Sequence, residues 1–352
     1  MPKNPGDTPG APSPASDHQS KKLLVLGGTG WLGGLVAEAA LAQGTDVTCL
    51  ARGTTGAVPT GARLVRADRT SPHAYDEVID TDWDEVVDVT WQPVQAQSAV
   101  EALANRVAHW TYVSSGAVHM AGARRPTNIP AQRRPGGAMA REPEYPAAKL
   151  ACERAVLEGV GDRAAIVRVG LVGGPGDVSD RTGYWPGRFA LAGNGPVLVP
   201  DAGKQPVRFI DARDFAYWLA GPAATHTGVF QAQGPVHTLG EVLAAAALAA
   251  DFSGRWVLAS PERLAALDIV PWMGKRALPL WATSSFGPPR SADEAVEPMA
   301  PGLVHRSLQE VMHDTLQDEI RRGLSRDRKS GLSRADELAA IQQIDQEAGT
   351  ST

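Results

Sequence analysis

Three residues of this chain have side chains whose types and order suit proton transfer at a carbon–oxygen bond: Ser115, Tyr145 and Lys149. Tyr145 and Lys149 stand four apart in "EYPAAKLACERAVL", a stretch of helical character, so they fall on one face of a helix. A phenol with an ordinary pKa of about 10 is a weak base at neutral pH. An adjacent ammonium stabilises the phenolate, so Lys149 is expected to draw the Tyr145 pKa down. Tyr145 would then give a proton to a carbonyl oxygen or take one from an alcohol, while Ser115 holds that oxygen. Alone, the pair also describes a surface aromatic beside a solvated lysine. What raises it above that reading is the rest of the chain, because such chemistry needs a hydride carrier and a scaffold to hold it.

The carrier site is written in "LLVLGGTGWLGG", residues 23–34. Gly27, Gly30 and Gly33 fall between an apolar strand-like run and a helical pattern in which Leu32, Leu35, Val36, Ala39 and Ala40 share a face and Gly44 marks the stop. Glycine there permits a tight turn, close approach of backbone to a pyrophosphate, and close packing of helix on strand. The free N–H groups of the helix start then face the phosphate. Gly27, Thr29, Gly30, Trp31, Leu32 and Gly33 are therefore candidate cofactor contacts.

The end of the next strand bears on the choice of dinucleotide. An acidic residue that would accept from a ribose 2′-hydroxyl is missing, and the chain reads Ala51-Arg52 instead. Ala51 leaves room for a 2′-phosphate and Arg52 offers it a forked, charged donor. NADP(H) is thus the favoured cofactor and NAD(H) the alternative. Asp68 is placed either to meet the adenine end or to serve its own turn, and Thr90 follows the fourth strand at the same edge.

These sites need a parallel sheet behind them. Strand-like runs at Leu23–Leu26, Asp46–Leu50, Arg63–Arg66, Glu85–Val89, Trp110–Ser114 and Ala165–Val169 alternate with helical patterns. The expected fold class is α/β, a Rossmann-type doubly wound parallel sheet with a smaller, irregular C-terminal substrate domain. Residues 1–20 read as a tail rich in Pro, Gly, Ser and Asp, 21–172 as the dinucleotide-binding domain, 173–330 as mainly the substrate domain, and 331–352 as a terminal helix with a frayed end. A capping box at Thr238–Glu241 and a helix over Ser307–Arg322 are expected in the second half. The substrate pocket is expected between the carboxyl edge of the sheet and segment 174–208.

Composition narrows the class further. A net charge of −5 over 352 residues gives no electrostatic footprint for nucleic acid or an anionic membrane. No run approaches the length of a membrane span, and no apolar leader opens the sequence. Cys49 and Cys152 lie in apolar surroundings and read as core thiols of a reducing, cytoplasmic setting; the eight histidines show no metal-ligand spacing, so no metal is expected. The expected partner is a small-molecule substrate, with a homodimer as the assembly to consider.

The chain resembles the short-chain dehydrogenase/reductase superfamily in its extended or atypical branch, which includes the NAD-dependent epimerase/dehydratases. The resemblance spans roughly residues 22–320 and rests on "GGTGWLGG", the strand-end "SS", "YPAAK", and "RVGLVGGPGD" followed by "RFIDARDFA". The segment "GYWPGRFALAGNGPVLVP" is similar to actinobacterial reductase-like members. The resemblance implies that Ser115, Tyr145 and Lys149 form the catalytic set and that Lys149 also grips the nicotinamide ribose. It also exposes departures. Many sugar-nucleotide members carry an asparagine before "VYGP" where this chain has Leu171, and an arginine where it has Val207, with Arg208 one place later. His119 stands where those members have tyrosine, and "DVTWQP" puts Trp91 at the end of the fourth strand, either walling the nicotinamide pocket or in the core.

Trp91, Gly116, Trp185, Arg188 and Arg208 are candidate substrate contacts, with Trp185 and Arg188 reading more readily as an arginine lying over a core tryptophan. Asp211, Arg213 and Asp214 read as a capping and ion-pair cluster. The expected function is NADP(H)-dependent hydride transfer to or from a small carbonyl or alcohol, with Tyr145 as acid and base. The alternative within the fold is an NAD(P)-dependent sugar or nucleotide-sugar epimerase or dehydratase. From another class, the alternative is a non-catalytic dinucleotide sensor or RNA-associated protein.

Overall fold

The first strand, β1 (Lys22–Leu26), is apolar at four consecutive positions, and Leu23 to Leu26 are wholly buried. A strand covered on both faces needs such an unbroken run. Leu24 and Leu26 pack into the core on one side of the sheet, Leu23 and Val25 into the core on the other. The computed structural model describes residues 20–121, 139–141, 144–282 and 297–350.

Around β1 the sheet is entirely parallel. It contains β2 (Asp46–Ala51), β3 (Arg63–Arg66), β4 (Trp83–Asp88), β5 (Val107–Ser115) and β6 (Ala164–Val169), in the order β6-β5-β4-β1-β2-β3. This is the doubly wound order, with its switch point between β1 and β4. All six expected strands are present; β5 is longer than its expected run and ends on Ser115. Helix α1 (Trp31–Ala42) covers one face, and α2 (Pro93–Leu103) pairs with α3 (Tyr145–Val160) on the other. Cys49 and Cys152 are buried free thiols within these two faces, and burial pushes both thiol pKa values up to about 12.

The second half of the chain returns to this sheet. After β7 (Val172–Gly173), α4 (Tyr184–Ala192), β8 (Val197–Pro200) and β9 (Pro206–Arg208), the short β10 (Ile210–Asp211) pairs back on β7. Helix α5 (Ala212–Ala220) then packs beside α1, and β11 (Gly228–Ala232) adds a seventh parallel strand beside β6.

The remaining elements help to build a second core. Strand β12 (Val236–Thr238) pairs β9 and leads into α6 (Leu239–Ala249), and β13 (Trp256–Ala259) pairs β8. After α7 (Pro261–Ala266), β14 (Val270–Trp272) pairs β15 (Ala277–Pro279), followed by α8 (Leu308–Arg322) and α9 (Arg334–Thr350). Helices α4, α6 and α8 enclose Trp185, Phe189, Leu243 and Met312 in a separate core. The expected capping box opens α6, where the Glu241 N–H donates to Thr238 Oγ1 at 3.2 Å and the Thr238 N–H to Glu241 Oε2 at 2.7 Å. A second box, Ser307 with Glu310, opens α8.

Candidate active site

The glycine loop is shaped by contacts that only glycine allows. Gly27 has φ +102°, and its N–H donates to the Leu50 carbonyl at 2.9 Å, tying the loop to β2. A Cβ on Gly33 would lie 2.3 Å from the Gly27 carbonyl oxygen, and one on Gly28 2.3 Å from Cys49 Sγ. At Gly30 the nearest such contact is 3.4 Å, so that glycine keeps open space instead of close packing. Helix α1 starts directly after it with no side-chain cap and no acid in its first turn. Its first N–H groups and the positive end of its dipole therefore face the cleft, as a pyrophosphate requires. Trp31 is turned away from that task, since its indole N–H donates to the Pro175 carbonyl at 2.9 Å and pins segment 174–176 over the loop.

Beside the loop lies a cleft of about 620 Å³, open mouth included, lined by Gly27, Thr29, Gly30, Ala51, Arg52 and Thr90 among others. An uncapped helix start, a glycine that leaves room, and cations at the far rim together fit a dinucleotide. Arg52 is exposed at that rim. A second cation joins it: Arg66 sits in register with Ala51, and a Cβ on Gly53 would be 2.7 Å from Arg66 Nη1. Sequence reasoning missed Arg66, although its place at the end of the third strand was the available signal. Asp68 does not line the cleft. Its carboxylate accepts from the Thr70 N–H at 3.0 Å and Oγ1 at 2.8 Å, so here it serves its turn. The neighbouring Arg69 is buried along the cleft and forks onto Asp88 at 3.0 and 2.8 Å.

Tyr145 is the first residue of α3 and Lys149 lies one turn in, which brings both to the carboxyl edge beside β5. The Tyr145 hydroxyl lies beside the Ser115 side chain, and its ring faces Trp91 with centroids 5.7 Å apart. Ser115 Oγ also accepts from the Ala117 N–H at 3.2 Å, which fixes its direction. Gly116 follows at the start of a short turn, facing the Val169 carbonyl.

The electrostatics correct one expectation. Burial raises the Tyr145 pKa above 10.0, while the Ser115 hydroxyl and the Arg181 guanidinium act in the opposite sense. Lys149 spends its ammonium elsewhere, donating to the Val113 carbonyl at 2.6 Å and the Thr90 carbonyl at 2.8 Å, and burial lowers its own pKa to about 8. The i, i+4 spacing puts the two side chains on one face, but the strand-end carbonyls capture the cation.

The substrate candidates separate in space. Trp91 packs against the Tyr145 ring. Arg208 donates to Gln233 Oε1 at 2.7 Å, beyond the ends of β6 and β11. Trp185 and Arg188 lie instead in the core of the second half. Trp185 is wholly buried and donates to the Pro279 carbonyl at 2.7 Å; Arg188 is 4% exposed and pairs with Glu337 at 3.1 Å. Asp211 caps α5 by accepting from the Arg213 N–H at 2.8 Å, and Asp214 pairs with Arg306 at 2.7 Å. Sequence reasoning also missed Arg181, which lies over the ring of Trp272 and whose charge acts to lower the Tyr145 pKa.

A doubly wound sheet, a glycine loop at a helix start, and a serine–tyrosine pair backed by lysine at the same edge define an NAD(P)-dependent enzyme of the short-chain dehydrogenase/reductase type. Within that class, the chain belongs to the NAD dependent epimerase/dehydratase family, which matches residues 23–220. No curated protein matches the sequence. Among solved structures, a Burkholderia cenocepacia J2315 protein, provisionally assigned as an epimerase, is similar at TM-score 0.60 and 20% identity, covering 86% of this chain and 99% of that one. UDP-glucose 4-epimerase of Thermus thermophilus, in complex with NAD, is similar at TM-score 0.53 and 18% identity, covering 84% and 98%. RMD from Pseudomonas aeruginosa, complexed with NADPH, is similar at TM-score 0.55 and 18% identity, covering 86% and 100%. At these identities the likeness is one of fold.

Proposed function

We propose that the enzyme transfers hydride between NADP(H) and a small carbonyl or alcohol, with Tyr145 as proton donor and acceptor. The observation that carries this reading is the placement of Tyr145, beside Ser115 and facing Trp91 at the same sheet edge as the glycine loop. The bound dinucleotide supplies the hydride chemistry. Gly30 and the start of α1 would hold its pyrophosphate, and Lys149 its nicotinamide ribose. Because burial disfavours phenolate, Tyr145 keeps its proton at neutral pH and is ready to give it to a carbonyl oxygen. Ser115, held by Ala117, would fix that oxygen beside the phenol.

NADP(H) is supported by Ala51, which brings no carboxylate to repel a 2′-phosphate, and by Arg52 and Arg66 at the rim. A neighbour of the same fold binds NADPH.

The second reading, a sugar or nucleotide-sugar epimerase or dehydratase that regenerates its cofactor in each turnover, draws on the fold neighbours named as sugar-nucleotide epimerases. Against it stand apolar Leu171 and an Arg208 already bonded to Gln233. A screen of small carbonyls and of nucleotide sugars, following nicotinamide absorbance and product identity together, separates the two. Stoichiometric loss of NADPH with a carbonyl supports the first reading. An isomerised sugar with no net change in absorbance overturns it.

A further inference from the structure

The glycine loop is fastened to the segment that leaves β2. Thr55 Oγ1 donates to the Thr29 carbonyl at 2.9 Å and lies 3.0 Å from Thr29 Oγ1. A hydroxyl has one proton to give, and that of Thr55 is on the carbonyl, so the second bond runs from the Thr29 hydroxyl to Thr55. Thr29 is buried within the glycine loop, 26 residues earlier in the chain. Both threonines line the dinucleotide cleft, together with Gly30 on one side and Arg52 and Thr54 on the other.

Two glycines allow the segment to make this contact. Gly56 passes so near that a Cβ on it would lie 3.1 Å from the same Thr29 carbonyl oxygen. Gly53 follows Arg52 directly and has φ +75°, and the Arg66 guanidinium rests against it. Residues 52–56 therefore run from the two rim arginines at one end to the glycine loop at the other. Glycine loses more conformational freedom on ordering than any other residue, so a stretch with two glycines among four residues does not fix the place of Arg52 by itself. The two threonine bonds supply that order.

We propose that Thr55 is a positioning residue for the choice of dinucleotide: by fastening residues 52–56 to Thr29, it fixes the separation between the pyrophosphate site at the start of α1 and the rim cations that would meet a 2′-phosphate. In a dinucleotide those two anionic groups hang on one ribose, which sets their separation narrowly. A rim already held at that separation binds without the entropic cost of ordering a loop. Only NADP(H) carries the 2′-phosphate, so Thr55 acts on selectivity more than on general affinity. This rests on the reading of the cleft as an NADP(H) site, and it adds a residue outside the phosphate contacts that sets the preference.

The test is a titration of the full chain with NADPH and with NADH, followed by nicotinamide fluorescence, in the unaltered protein and in Thr55→Val, Thr55→Ser and Arg52→Ala. Thr55→Val keeps the shape of the side chain and loses both hydrogen bonds. It should weaken NADPH at least about fivefold and NADH less than about twofold, as expected for the loss of hydrogen bonds that act through the rim cations. Thr55→Ser keeps the hydroxyl and should restore the selectivity. Equal weakening of both cofactors in Thr55→Val would show a merely structural contact and overturns the proposal, as does unchanged selectivity in Thr55→Val where Arg52→Ala loses it. If the unaltered protein shows no preference for NADPH, the NADP(H) reading itself fails and the proposal falls with it.

Discussion

Lys149 Nζ donates to the Thr90 carbonyl at 2.8 Å, and through its second bond to the Val113 carbonyl it joins the ends of two neighbouring strands to the first turn of α3. The Thr90 carbonyl also accepts from the Tyr112 hydroxyl at 3.0 Å, and the ammonium lies 5.0 Å from the centroid of that ring. One buried cation thus locks the cleft wall at Thr90 to the helix that carries Tyr145.

This placement ties Lys149 to stability. Its pKa falls from 10.5 to about 8 on folding, so between these values the unfolded chain binds more protons than the folded one. Raising the pH through that window therefore favours the folded state, by up to ~1.4 kcal/mol per pH unit. Below about pH 8 both states are protonated and the contribution is flat. Urea unfolding of the unaltered protein and of Lys149→Met, near pH 7 and near pH 9.5, should show the gap moving toward the unaltered protein at the higher pH. A constant gap would show that Lys149 is not depressed.

The two cations at the rim predict cofactor selectivity. Arg52→Ala and Arg66→Ala should each weaken NADPH by about 1–3 kcal/mol, as expected when a partner of a charge-assisted bond is removed, and leave NADH nearly unchanged. Calorimetric titration of both cofactors checks this. Equal losses for NADPH and NADH would place these arginines away from the 2′-phosphate.

Gly30 and Gly33 should fail in different ways. A Cβ at Gly33 meets the Gly27 backbone at 2.3 Å, which no side-chain rotation relieves, so Gly33→Ala should lower the melting temperature. Gly30 has φ −79° and its nearest contact is 3.4 Å, so Gly30→Ala should melt normally yet bind NADPH at least about tenfold more weakly. Thermal unfolding together with cofactor titration distinguishes the two, and normal binding by Gly30→Ala would move the pyrophosphate elsewhere.

With an active substrate in hand, Tyr145→Phe should lower kcat by about 10²–10⁴ and leave NADPH affinity unchanged, because only the reacting hydroxyl is lost. Lys149→Ala should impair both turnover and cofactor binding. The reductive rate should hold through neutral pH and fall only in strong alkali, since burial keeps the Tyr145 phenol protonated. Activity retained by Tyr145→Phe would remove it from the mechanism.

Much of this protein was legible in one dimension. The glycine spacing, the unbroken apolar run of β1 and the capping box at Thr238 are local signals, and each sets local geometry whatever surrounds it. The parallel sheet of six strands and the placing of Ser115 and Tyr145 at one sheet edge follow from alternating strands and helices, because parallel strands joined by crossovers must end on the same side, whereas the strand order is set by tertiary structure.

Tertiary structure decided what depends on partners distant in the chain. Trp185 and Arg188 have a spacing that favours a core without excluding a pocket, and it is Pro279 and Glu337, far along the sequence, that place them in a core. Arg66 reaches the cleft rim through strand register, and Arg181 finds its platform on Trp272, with the helices from α4 to α7 lying between them in the chain. The charge state of Tyr145 belongs to the same group. Sequence spacing put Lys149 beside it, but two carbonyls on adjacent strands hold the ammonium, and burial sets the phenol. Secondary structure arises from neighbours along the chain, whereas desolvation and the direction of a long side chain are set by whatever the fold packs against it.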